Sequence, residues 1–391
     1  MTRTSNLRFH HLSPLGLCLL GIYTSLIGSY VRGAESVSDS LPKQAGNLAL
    51  SNLMLGRLEH SLEFSVESVP DTVDYSPNLP GGGHASPQSR SRFLSKNLSS
   101  SWTKNNLDYS SSLALSVFDL ELASLRNKSN IHQLGIDYTY TRHFPRHGYS
   151  MGGNFSIKHS FANRLEKNSF TRIATGTLTN VRIHQPKDIE LSIGLNYRKP
   201  LPFSLVLQGY TNVGYQKTSF SSISGSARSS QGCLFDFQTQ GNGGLISQTQ
   251  PCGPVQSYTQ SYPDNSTLSE QLGVNPIESL RYSSHFLKQG IAISKRINQQ
   301  TTSMLSLDFG LFRRGQIDDI SSVDEHKPVA SMRSLKFSVD YQITKRFGFE
   351  FDTSYRVAAF LETIPFLYTR YTSDNFKTNS LSFSLTLKYA L

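Results

Sequence analysis

The chain has 391 residues, of which 38 are Lys or Arg and 28 are Asp or Glu, for a formal net charge of +10. Its length suits one large domain or two ordinary ones. With 37% hydrophobic residues, negative mean hydropathy and no run beyond residue 34 near the ~20 apolar residues of a transmembrane helix, a helical membrane protein is excluded, although a membrane protein built of strands is not.

The N-terminus places Arg3 and Arg8 before an apolar run from Leu15 to Tyr30, followed by the small residues Gly33 and Ala34. This order predicts a secretory signal over residues 1–34. The alternative is an uncleaved anchor, but Thr24, Ser25 and Ser29 dilute the run, and bulky Leu17 before Cys18 argues against lipidation. Removal of residues 1–34 takes three Arg and no acid, so the mature charge is 10 − 3 = +7. A basic surplus suits nucleic acid, anionic headgroups or anionic solutes. Export argues against nucleic acid, and the absence of a Lys/Arg cluster fits dispersed, solvated charge. Residues 35–56 are expected to be an N-terminal periplasmic segment or a first strand, and they are the one place where a short helix is allowed.

From residue 57 onward the sequence alternates apolar and polar residues, the period of a β-strand. Predicted strands in chain order are 57–69, 90–104, 107–124, 131–144, 149–162, 169–184, 189–198, 203–218, 281–297, 301–314, 330–344, 347–360 and 378–391. The clearest is the last, where Leu381, Phe383, Leu385, Leu387, Tyr389 and Leu391 alternate with Ser380, Ser382, Ser384, Thr386, Lys388 and Ala390. Short connectors such as PRHG (145–148), KPLP (199–202) and NQQT (298–301) supply turn residues between the runs. Aromatic residues recur at the ends of runs, among them Tyr138, Tyr140, Tyr197, Tyr215, Tyr341, Tyr355 and Tyr389, as interfacial girdles would.

With its export signal, serial alternation and terminal Leu381–Leu391 face, the sequence resembles bacterial outer-membrane β-barrel proteins. The resemblance implies an all-β fold, an antiparallel up-and-down transmembrane β-barrel of about 12–14 strands over residues 57–391, in the bacterial outer membrane. It also implies lipid, lipopolysaccharide and the barrel-assembly machinery as partners. Terminal strands of such proteins usually end in an aromatic residue, whereas this one ends in Leu391 with Tyr389 two places earlier. Thirteen runs conflict with the even strand number expected. Either GNLALSNLM (46–54) adds a fourteenth strand or 90–104 belongs to a loop and leaves twelve; the reading favours fourteen. Counting back from a periplasmic C-terminus puts 361–377, 315–329 and the long segment 219–280 outside. The Thr175-Thr177-Thr179 stripe is the candidate for a less lipophilic, oligomerising patch on the outer wall.

On this reading the inward set holds Asp137, Lys158, Arg182, Glu190, Arg198, Arg296, Asp308, Lys336, Asp340, Glu350, Asp352, Arg356 and Lys388. They either pair to plug the lumen or flank a narrow aqueous path. Cys233 and Cys252, with 18 residues between them in an oxidising compartment, predict a disulfide across the long loop, stabilising by about 3 kcal/mol in the chain-entropy model. Too few His or Cys neighbours are present for a metal site, and no phosphate loop or cofactor motif occurs. The expected activity is passive transport of small hydrophilic solutes or ions, without catalysis. The alternatives are a surface barrel binding through its external loops, or a barrel hydrolase. His159 with Ser160, Ser283 with His285, and the loop residues Asp318, Asp319, Asp324, Glu325 and His326 are the places a hydrolase would draw on.

Overall fold

The computed structural model describes residues 58–72, 91–123, 128–167, 171–173, 176–240, 243–251, 259–264, 283–314, 331–357 and 379–391. The signal segment, the 46–54 run and the acidic 318–326 loop lie outside them. The strands in chain order are β1 (Leu58–Thr72), β2 (Ser91–Asn105), β3 (Tyr109–Ala123), β4 (Lys128–Phe144), β5 (Tyr149–Phe161), β6 (Arg164–Lys167), β7 (Thr171–Ile173), β8 (Gly176–His184), β9 (Lys187–Leu201) and β10 (Leu205–Ser219). They continue with β11 (Ser222–Ser229), β12 (Leu234–Gln240), β13 (Gly243–Gln250), β14 (Thr259–Tyr262), β15 (Ser283–Arg296), β16 (Thr301–Arg314), β17 (Ser331–Gln342), β18 (Phe347–Val357) and β19 (Asn379–Ala390).

Twelve of these close a barrel in the order β1-β19-β18-β17-β16-β15-β10-β9-β5-β4-β3-β2. All its pairs are antiparallel, and β1 meets β19 from Ser61↔Ala390 to Ser68↔Phe383, so the sheet has no free edge. The count corrects the preference for fourteen. The 90–104 run belongs to the barrel as β2, paired with β1 and β3. It is the 169–184 run that leaves.

That run forms β7 and β8 of a second, seven-stranded sheet ordered β14-β13-β12-β11-β8-β6, with β7 also paired to β8. The segment expected to be a long loop, 219–280, therefore contributes strands β11 to β14. The sheet prolongs the barrel wall: β6 follows β5, β8 precedes β9 and β11 follows β10, and Ala162 N–H bonds Pro186 O at 3.0 Å across the junction. Gln185, in the left-handed region at φ 50°, together with Pro186, interrupts the ladder there. One face of the sheet has its own core of Phe220, Ile223, Ala227, Phe237, Ile246 and Tyr262, with Val181, Ile183 and Phe235 against it. Alternation could not separate this from a barrel strand, because any sheet with one buried face has the same period. Thr177 and Thr179 of the expected oligomerising stripe lie on β8, outside the barrel wall.

At one end of the barrel five turns, 106–108, 145–148, 202–204, 297–300 and 343–346, are three or four residues each, and the second sheet and the long connections lie at the other end. Pro145–His147 forms a 3-10 turn closed by Gly148 at φ 64°, where glycine is needed. The β9–β10 turn is centred on Phe203 and Ser204 rather than on Lys199–Pro202. Both residues have positive φ (61° and 59°), the sign of a primed turn, inside a three-residue loop that Leu205 N–H closes on Pro202 O. Neither is Gly or Asn, and left-handed backbone costs other residues about 1–2 kcal/mol. The double substitution Phe203→Asn, Ser204→Gly is expected to raise stability by about 1 kcal/mol, read from the urea midpoint of the folded protein; an unchanged or lower midpoint would contradict the turn geometry.

Candidate functional site

Inside the barrel, Ser99, Ser101, Ser112 and Ser116 on β2 and β3 face inward and are partly exposed, so this wall is lined with hydroxyls, while on β5 the inward Asn154 Oδ1 and Ser156 Oγ are buried. Across β17, β18, β19 and β1 a cavity of about 300 Å3 is lined by Glu63, Glu67, Lys336, Glu350, Asp352 and Arg356, with Ser and Thr side chains between them. The charges form a ladder. Lys336 Nζ lies 3.1 Å from Asp352 Oδ1 and 3.9 Å from Glu350 Oε1. Lys388 bonds Asp340 and reaches Glu350 Oε2 at 2.7 Å. Arg356 pairs with Glu67 at 3.0 Å across the closing strands.

A second network sits on β5, β9, β10 and β15 in the half towards the long connections. Glu190 and Lys288, each with a side chain 8% exposed, lie 3.4 Å apart, and Lys158 is 3.8 Å from the same carboxylate oxygen. Asp188 is 2% exposed and accepts a hydrogen bond from Thr218 Oγ1. Lys288 Nζ also lies 4.4 Å from the centre of the Phe286 ring, which meets Phe312 at 6.0 Å. Further along this wall Tyr210 donates to Asp308 Oδ1 at 2.8 Å. The two residues flank Gly290 in one register row, and a Cβ on Gly290 would strike both side chains, so the bond exists because the residue between them has no side chain.

Twelve of the thirteen expected lumen residues occupy inward register positions, and Arg182 is the correction. It stands on β8 of the second sheet, 3.5 Å from Glu166, because the run that carried it is not a barrel strand. Asp137 faces inward on β4, and Arg198 and Arg296 do so at the short-turn end of β9 and β15. The expected set omitted Glu63, Glu67, Asp188 and Lys288. The signal for three of them was present: Glu63 and Glu67 alternate with Phe64 and Val66, and Lys288 shares the parity of Arg296. Asp188 was hidden in a stretch that reads as a turn. Cys233 is buried beside β12; Cys252 lies outside the described residues, two positions beyond Gln250, the register partner of Leu234.

Of the hydrolase candidates, only the His159–Ser160 pair is split between the two faces of the wall. His159 is on the outward parity of β5, with its Nδ1 3.0 Å from the Asp188 carbonyl, whereas Ser160 is inward, buried and bonded by Gln133. Ser283 and His285 share the outward side of β15, where the His285 ring packs on Tyr215 at 5.2 Å. Among the described residues no group of three or more His, Cys, Asp or Glu is placed to hold a metal.

The outer wall decides the solvent. Ile193 is 60% exposed, Leu195 58% and Leu307 54%, and the outward Leu, Ile, Phe and Tyr side chains continue round every barrel strand. No soluble monomer exposes an apolar band of that extent, whereas hydrocarbon requires it of a closed barrel. This is an outer-membrane β-barrel. No family model matches the chain, and no curated protein matches it. Among solved structures, it is similar to the translocator domain of the autotransporter NalP from Neisseria meningitidis (7% identity, covering 95% of this chain and 96% of that one, TM-score 0.45). The beta domain of the Bordetella autotransporter BrkA (9%, 86% and 100%, 0.43) and the Pseudomonas putida toluene transporter TodX (10%, 90% and 94%, 0.36) are similar too. At these values no solute or partner passes from them to this chain.

Leu307 lies midway along β16 on the lipid side. Leu307→Arg is expected to destabilise the barrel by about 2–4 kcal/mol, while Ser306→Arg, facing inward, costs much less; equal losses in vesicle-based unfolding would contradict the assigned faces. Lys388→Met leaves the Asp340 and Glu350 carboxylates without their shared cation and is expected to cost about 1–3 kcal/mol. Adding Asp340→Asn should recover part of it, a non-additivity that a double-mutant cycle reads directly.

Proposed function

We propose that this outer-membrane barrel is a passive channel for small hydrophilic solutes or ions and performs no catalysis. The observation that carries the reading is the partly exposed hydroxyl wall of β2 and β3 together with the charged cavity of about 300 Å3 along β17, β18, β19 and β1. A packed, inert interior would seal Ser99, Ser101, Ser112 and Ser116 as it seals Asp188 and Ser284, which are 2% and 0% exposed. Charges of both signs along one wall orient a polar solute without binding any single species tightly. On this reading Cys233 and Cys252 form a disulfide that clips the β12–β13 hairpin, whose register brings their flanking residues together.

A second reading, binding of a surface partner, is favoured by the second sheet. Its face opposite the small core presents Ser226, Asp236, Gln238, Ser247 and Thr259, a polar surface beyond the membrane.

Mature protein starting at Ala34 or Glu35, refolded in a planar bilayer, is expected to give stable conductance steps. Ser384→Trp, which projects into the cavity, should shrink them, and reduction should change them if the cysteine clip holds the second sheet in place. Silence from protein shown to be folded by heat-modifiable gel mobility would sink the channel reading and favour the surface-binding one.

A further inference from the structure

The outer wall carries charge in a pattern that neither solute passage nor the apolar band explains. On β9, β10, β15, β16 and β17 the outward parity carries, near the end towards the long connections, Lys187, Lys217, His285, Arg313 and Arg333, all exposed. Their positions relative to the lipid face follow from the register. Lys187 continues the series Ile189, Leu191, Ile193; Arg313 continues Leu305, Leu307, Leu311; and Arg333 precedes Leu335 and Phe337. Lys217, His285 and Arg313 are neighbours on three adjacent strands, with His285 facing Tyr215 on one side and Arg313 on the other.

No acidic residue shares the outward parity of these five strands. The contrast with β2, β3 and β4 is direct. There Lys96 faces Asp119 across the pair, and Asp119 Oδ1 lies 2.6 Å from His132 Nδ1, so Lys96 has an acidic partner on the protein itself.

The height of the patch fits a headgroup layer. Arg333 stands nine residues from the short-turn end of β17, Lys217 and Arg313 twelve residues from the same end of β10 and β16, and Lys187 fourteen from that of β9. At about 3.3 Å per residue and a tilt near 45°, these distances are roughly 21–33 Å, at and just past the far boundary of an apolar band of about 25 Å. Here a cation meets the phosphates of the outer leaflet. Guanidinium groups fork onto phosphate oxygens, and lysines add point charges.

We propose that Lys187, Lys217, His285, Arg313 and Arg333 form a binding patch for the phosphorylated glucosamine headgroup of outer-leaflet lipopolysaccharide, on one side of the barrel at the foot of the second sheet. The occupant is an anionic lipid because Lys187, Lys217, Arg313 and Arg333 flank lipid-facing side chains and lie on the wall's outer surface, away from the lumen. The proposal is independent of whether the lumen conducts.

The test uses folded mature protein in neutral detergent, with the temperature of heat-modifiable unfolding read on adding bisphosphorylated lipid A, its dephosphorylated form, or phosphatidylglycerol. Bisphosphorylated lipid A is expected to raise the unfolding temperature, the other two to do so little or not at all, and the shift to fall with added salt. The double variant Lys217→Gln, Arg313→Gln should bind lipid A about tenfold more weakly or worse. Lys199→Gln, Lys295→Gln, which removes outward cations at the opposite end, should leave binding unchanged and controls for folding. An equal shift from dephosphorylated lipid A or from phosphatidylglycerol, or full binding by a Lys217→Gln, Arg313→Gln protein that is folded, would overturn the proposal.

Discussion

The pairing of β1 with β19 is the constraint on which the rest of this structure depends. Hydrocarbon offers backbone N–H and C=O groups no partner, so a sheet in lipid must satisfy every one of them within itself. The register Ser61↔Ala390 to Ser68↔Phe383 does this with the first and last strands of the barrel, and Leu391 N–H adds a bond to His60 O at 2.9 Å. Once the ring is closed, each strand has one lipid side and one lumen side, and side-chain parity becomes a statement about solvent. Leu381 to Leu391 face hydrocarbon for that reason, and Lys388, between two of them in sequence, reaches Asp340 and Glu350 inside.

Closure also explains where the interior charges sit. Twelve strands enclose more space than their inward side chains fill along β17, β18, β19 and β1, whereas β9, β10 and β15 are tightly packed near the second sheet. A carboxylate held between two lysines, as Glu190 is, does not pay the full desolvation penalty of a lone buried charge, yet such pairs seldom add much net stability. Their effect is positional: Lys336, Glu350, Asp352, Lys388 and Asp340 hold one another against the wall and keep the adjoining cavity open. Tyr210 and Asp308 do the same across Gly290, a contact between residues 98 apart in sequence.

Much of this was legible in the sequence, and the limits have physical causes. The period of two located every barrel strand to within a few residues, including β2, because a strand between lipid and lumen must alternate along its length. The same period misplaced 169–184 and with it Arg182, since a sheet with a small core of Ile, Phe and Tyr on one face alternates for a different reason. Strand number was undecided for the same cause. Glu63 and Glu67 were within reach of the rule that found Glu350 and were passed over because the run around Phe64 is short. Which charges meet was beyond reach: Arg356 finds Glu67 through ring closure, a relation between strands at opposite ends of the sequence.

The second sheet shows how a closed wall gains an outer structure without opening. A β-strand that leaves the membrane needs a paired neighbour in water as much as in lipid, and β6, β8 and β11 obtain theirs by continuing the pairing of β5, β9 and β10. The cost is a bend where the outward side chains change from lipid-facing to water-facing, and Gln185 and Pro186 accommodate it. Beyond that bend an apolar face can be buried only within the protein, hence the compact cluster around Ile223 and Phe237. Strands β12 to β14 then widen a sheet already anchored in the membrane, so the external structure inherits the position of the barrel and need not supply an independent fold.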